Sequence, residues 1–231
     1  MDEAQTNEAA SPRLRRVAGL FNLAGWLVGI WAIVYPAPYI PCLAILVALP
    51  VVVFALVLRL RGRWTLYDPP SPGRISVGGA VMLPAIALGA RSLFDEYLVD
   101  ATVSLAVAGA AAIVIMILVA LADRAFTLKR ALITGILGFA WVWGGLVWYN
   151  DMLDSGHAQV VPVKVLNVTR LTIKTTSFTL YLSAWGPYPD GHMAEVTPAV
   201  LRRTHVGDTV CVFIWPGAFH WQRFKVEDCP V

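Results

Sequence analysis

Charge is scarce in this 231-residue chain: Asp, Glu, Lys and Arg make up 14% of it, against 58% for the hydrophobic residues. A soluble domain carries about 25% charged residues, so the deficit calls for a solvent other than water. The deficit is also local. Five apolar runs, at about 17–35, 39–58, 75–90, 101–121 and 131–149, contain no Asp, Glu, Lys, Arg or His. Ionisable groups inside membrane spans usually mark proton or ion pathways, so their absence argues against a proton-coupled carrier. No internal repeat of an inverted-repeat transporter is visible. No GxSxG, Walker loop, strand-linked GxGxxG, HExxH or CxxC spacing occurs either. These absences lean against an enzyme, and no cofactor and no metal site are expected. Nucleic acid is excluded as a partner because no basic stripe marks the water-soluble part.

What is present fixes an architecture. About 20 apolar residues cross the hydrocarbon as a helix. The five runs therefore predict a membrane α-helical bundle of five transmembrane helices over 17–149, after a disordered cytoplasmic tail at 1–16. The third run, Ile75–Ala90, is the shortest. Arg13, Arg15 and Arg16, then Arg59, Arg61, Arg63 and Arg74, then Arg124, Lys129 and Arg130 fall on one side if all five runs cross. By the positive-inside rule the N-terminus is cytoplasmic and the C-terminal part lies across the membrane, periplasmic or extracellular, as in a bacterial inner membrane. Four crossings would put Arg124, Lys129 and Arg130 outside, against that rule. Small residues recur at four-residue spacing: Gly25 and Gly29, Ser104, Ala108 and Ala112, Ala140 and Gly144. They suit close helix packing, within the chain or across a homodimer. Pro50 and Pro84 are expected to kink their helices. Trp26, Trp141 and Trp143 are expected to pack inside the bundle.

After a linker at 150–158 the hydrophobic period changes to two. Val163 and Val165, Phe178 to Ala184, Val210 to Ile214, and Phe224 with Val226 alternate with polar or outward residues. Turn signals at 186–191, 206–208 and 216–217 separate them. Thr197-Pro198 predicts a capped short helix over Ala199–Arg203. Residues 159–231 thus read as a small all-β domain, a barrel or sandwich, with OB- and SH3-like folds as candidates. Cys211 and Cys229 are candidates for a disulfide. A simple hairpin of 209–215 with 222–228 would set Cys211 opposite Val226, so the bond would need a shifted register or a curled-back terminus. The four histidines, His157, His192, His205 and His220, also lie in this part.

The segments Ala184-Trp185-Gly186-Pro187, Val206-Gly207-Asp208-Thr209-Val210-Cys211-Val212 and Pro216-Gly217-Ala218, with the final Cys229, resemble the C-terminal parts of uncharacterised bacterial multi-pass inner-membrane proteins. That resemblance covers about a third of the chain and implies an extracytoplasmic β-domain without implying an activity. The organisation, several spans and then a small β-domain, is also similar to the NfeD type.

The function expected is therefore non-enzymatic: a β-domain that contacts an envelope protein or a second copy, through aromatics such as Trp185, Tyr188, Trp215, Phe219 and Trp221. The alternative is a channel or transporter subunit whose polar lining forms by oligomerisation around Asn22, Ser104 or Thr134. A third reading is an envelope metal or redox protein that uses the His/Cys set.

Overall fold

Pro12, whose ring pre-sets a helical φ, opens helix α1 (Pro12–Val34). Four more long elements follow in the computed structural model: α2 (Tyr39–Arg59), α3 (Gly79–Asp95), α4 (Thr102–Ala122) and α5 (Leu128–Met152). The structure describes residues 12–60, 63–67, 74–95, 98–122, 127–172 and 176–230. Most of the expected tail at 1–16, together with Arg61 and Arg124, lies outside them. The chain divides into two compact units, one of Met1–Glu96 with Thr102–Met152, the other of Tyr97–Ala101 with Leu153–Val231.

In the first unit, four helices are long and apolar enough to cross a membrane. Their outward faces are as apolar as their inward ones. Leu20, Leu23, Trp26, Leu27 and Ile30 of α1 and Val107, Ile113, Val114 and Ile117 of α4 are all exposed. Apolar surface on this scale suits hydrocarbon rather than water. Trp26 belongs to that surface, 53% exposed, and not to the interior expected of it.

Helix α3 is the centre of the unit, packed on α1, α2 and α5. It has 17 residues, about 25 Å at 1.5 Å per residue, which is short of a hydrocarbon core of about 30 Å. The run expected to begin this helix at Ile75 is not helical until Gly79. Ile75–Ser76 (β2) pairs in parallel with Trp64–Thr65 (β1) instead. The physical reason is local: Ile75 and Val77 are β-branched, and a Cβ at Gly78 would lie 2.4 Å from the Leu66 carbonyl oxygen. The fold of this segment buries Trp64, Leu66, Ile75 and Val77 with Ala18, Val53, Ala80 and Val119 at one end of the unit. Ala32, Cys42, Leu46, Ala87, Leu88 and Trp148 form the core of the other end. Helix α3 contributes to both, so it runs the length of the unit parallel to α1 and α5.

Polar side chains repair what this geometry breaks. Asn22 of α1 accepts from Ala80 N (3.2 Å) and donates to the Ser76 carbonyl (2.9 Å), and so caps α3 from a neighbouring helix. Pro50 cannot donate to the Leu46 carbonyl one turn back, and the Trp141 indole takes that oxygen at 3.1 Å.

In the second unit, β3 (Gln159–Thr172), β4 (Thr176–Leu182), β5 (His192–Glu195), β6 (Thr209–Trp215) and β7 (Arg223–Glu227) form one antiparallel sheet ordered β5-β4-β3-β6-β7. It curls into a half-barrel, not a two-sheet sandwich. Strand β3 pairs β6 over Gln159–Lys164 and β4 from Val165 onward, with a register shift between Val165 and Asn167. Pro162 is tolerated because β6 is the only strand beside that stretch among the described residues. Val163, Val165, Leu180, Leu182, Val210, Val212, Ile214, Phe224 and Val226 fill the concave side. Helix α6 (Pro198–Arg203) starts as its sequence requires, with Thr197 accepting from Val200 N. In the expected linker at 150–158, α5 continues to Met152, and the side chain of Asp154 is buried.

Candidate functional site

The second unit has two sheet edges, and they are treated differently. At β7 the chain closes the edge with residues from between α3 and α4. Leu98 bridges to Arg223, and Val99 N donates to the Gln222 carbonyl at 2.8 Å. The Val99 carbonyl accepts from the Tyr188 hydroxyl at 2.8 Å. No periodicity marks so short a segment as part of a sheet, which is why the sequence reading missed it. At the far edge, β5 has β4 as its only neighbour among the described residues. Beside it, Tyr181 and Met193 are register partners on the convex face, 38% and 57% exposed.

An aromatic cluster holds the curl. Trp185 lies 4.9 Å from Tyr188 and 5.1 Å from Phe224 between centroids, and His192 stacks on Tyr188 at 3.9 Å. Trp185, one of the five candidate contact aromatics, is buried. Paired backbone bonds between Trp185 and Tyr188, with Gly186 at φ 44°, turn the chain back and fold the indole inward. The other aromatics proposed as contacts gather elsewhere. Trp215 lies on the convex face with the Arg223 guanidinium 4.7 Å above its ring, and Phe219 and Trp221 pack together in the β6–β7 hairpin, 5.1 Å apart.

Burial of His192 among these rings lowers its pKa below the ordinary 6.5. Burial, and then the Asp100 carboxylate, raise the pKa of Tyr188, which keeps its hydroxyl a donor to Val99. The His192 effect has a defined sign. The unfolded chain takes up the proton first, so the contribution to stability is complete above about pH 6.5 and is lost as pH falls through the lower folded value. Acidification from about pH 7.5 to 5.5 is expected to lower the melting temperature of the wild-type chain more than that of His192→Phe, followed by tryptophan fluorescence. Equal shifts would refute the assignment.

Cys211 and Cys229 are joined by a disulfide, Cα–Cα 4.8 Å. The hairpin register differs from the simple expectation by one residue. Val212 faces Val226, Cys211 faces Glu227, and the chain beyond Glu227 returns to reach Cys211. Of the histidines, only His192 enters the aromatic cluster. Among the described residues no three His, Cys, Asp or Glu side chains converge as a metal site would require. Asp154, which no motif singles out, organises the start of the unit: its carboxylate accepts from Gly156 N (2.8 Å) and Gly217 N (3.1 Å) and lies 3.9 Å from Arg223.

In the first unit, the small-residue positions are occupied within the chain. Gly25 and Gly29 meet Ala80 and Leu83 of α3, Gly144 meets Leu88, and Ala140 meets Gly89. Ser104, Ala108 and Ala112 are buried as well. Asn22, Ser104 and Thr134 each have a partner within the chain. Asn22 caps α3, Ser104 accepts from the Trp143 indole (3.2 Å), and Thr134 bonds Tyr67 (3.0 Å) and the Arg130 carbonyl (2.7 Å).

Compared with known proteins, the chain matches no protein family, no curated protein and no solved structure.

Proposed function

We propose that this chain is a five-span membrane protein of the bacterial inner membrane that presents its half-barrel outside the cytoplasm to a protein partner, which adds an extended strand to β5. The observation that carries the reading is the contrast between the two edges: the chain covers β7 with its own Leu98 and Val99, while β5 has β4 alone beside it among the described residues. Native sheets usually shield their edges, and an open one accepts a strand by main-chain hydrogen bonding. Met193 and Tyr181 supply apolar contact next to it.

The membrane part of the proposal is supported by helix direction. With α1, α3 and α5 parallel, Arg13, Arg15, Arg16, Arg59, Arg63, Arg74, Lys129 and Arg130 fall at one end of the unit. Cytoplasmic loops carry such an excess. The Cys211–Cys229 bond fits an oxidising compartment on the other side.

The test is photo-crosslinking in native membranes. A photoreactive residue at Met193 is expected to give a discrete protein adduct, and one at Lys225 on β7 is not. Proline on an edge strand removes a main-chain donor that strand addition needs. Glu195→Pro should therefore reduce the Met193 adduct about tenfold, the equivalent of roughly 1.4 kcal/mol. No adduct at 193, or equal adducts at 193 and 225, would remove the reading.

A further inference from the structure

A cavity of about 160 Å³ opens between α2 and α4, with α3 and α5 as its floor. Helix α4 packs chiefly on α5, which leaves a slot beside α2. Val51 and Leu118, both exposed, are the rims, and Ala85, Leu137, Gly138 and Trp141 lie on the floor. The slot has a structural cause. Pro50 lines it and frees the Leu46 carbonyl, and the indole that takes this oxygen belongs to Trp141.

Its chemistry favours an apolar occupant. The two hydroxyls on its wall, Tyr67 and Thr134, are spent on each other and on the chain. Thr134 has one proton, which goes to the Arg130 carbonyl, so Tyr67 donates to the Thr134 oxygen. Water needs two to four polar partners to stay in such a space, and with both hydroxyl protons committed the wall offers it no side-chain hydroxyl donor. A dry cavity of about 150 Å³ holds a benzene-sized group, so this one accommodates roughly six carbons.

We infer that the slot binds the acyl chain of a bilayer phospholipid, entering sideways between α2 and α4. The occupant follows from the surroundings: the rims continue the apolar outer faces of the helices, and at that depth the solvent is hydrocarbon chain. The inference rests on the membrane reading above.

The test uses the full chain in phosphatidylglycerol–phosphatidylethanolamine vesicles that contain a phospholipid with a diazirine on one acyl chain. Photolysis and peptide mapping are expected to place adducts on the floor residues Ala85, Leu137 and Trp141, in addition to the outward Ile113 and Ile117. Gly138→Leu fills the slot, because a Cβ there meets Ile115 only at ordinary contact, 3.5 Å. It should lower floor labelling at least about fivefold, roughly 1 kcal/mol, and leave Ile113 and Ile117 unchanged. Labelling confined to Ile113 and Ile117 in the wild-type chain overturns the inference whether or not the variant folds. So does a protein–protein crosslink across the slot in place of a lipid adduct. Absence of labelling everywhere, Ile113 and Ile117 included, overturns the membrane reading itself.

Discussion

Gly144→Leu is expected to cost the helical unit about 3 kcal/mol or more, at the upper end of overpacking effects. A Cβ at Gly144 would lie 2.4 Å from the Leu88 carbonyl carbon and 2.5 Å from its oxygen. Both atoms belong to the α3 backbone, so no side chain can turn away, and α5 must separate from α3. The Ser92 hydroxyl, which donates to the Gly144 carbonyl at 3.2 Å, would lose its acceptor in the same movement. Thermal unfolding in detergent measures this, with Gly109→Ala as the control. Nothing lies within 4 Å of a Cβ at Gly109, so that variant should match the wild type or gain up to about 1 kcal/mol from helix propensity. A stable, fully folded Gly144→Leu protein would show that α3 and α5 do not meet as described.

Loss of the Cys211–Cys229 bond is expected to destabilise the half-barrel by about 3 kcal/mol, because it closes a loop of 18 residues. For a unit of this size that is on the order of 15 °C in melting temperature. Cys211→Ala, Cys229→Ala and the double variant should fall together, and reductant should bring the wild-type chain to the same value. Three different values, or a wild-type melt indifferent to reductant, would mean the bond does not stabilise the unit. A membrane-impermeant reductant added to intact cells should reach the bond if the half-barrel lies outside. The loss is large because the unit is small: one concave layer of about a dozen apolar side chains is a modest core.

Much of this was legible in order along the chain. Four long apolar helices, the short helix after Thr197, four of the five large-sheet strands and the turns at Gly186, Gly191, Gly207 and Gly217 follow from local pattern. Gly191 shows why such signals are firm. Its φ is 85°, and a Cβ would lie 2.4 Å from the Leu182 carbonyl oxygen, so both conformation and space exclude a side chain. The third apolar run misled at its start, because apolar content reads the same in a helix and in a tucked-in extended segment. Strand β5 is four residues long, too short for alternation to register. The aromatics were legible as a set but not by position: Trp185 and Trp215 are the same residue type in the same domain, and one is core while the other lies under a guanidinium.

The sequence by itself determined which segments avoid water, where the period changes from helix to strand, and which end of the helices carries the basic residues. These are properties of neighbours along the chain, set by side-chain polarity and backbone propensity. Only the tertiary structure decided that Gly144 lies against Leu88, that Trp141 serves the carbonyl Pro50 leaves open, that Cys211 reaches Cys229, and that Leu98 and Val99 close one sheet edge while β5, among the described residues, has no strand on its outer side. Each is a contact between residues distant in sequence, fixed by helix direction and strand register, and neither is written in any local run of residues.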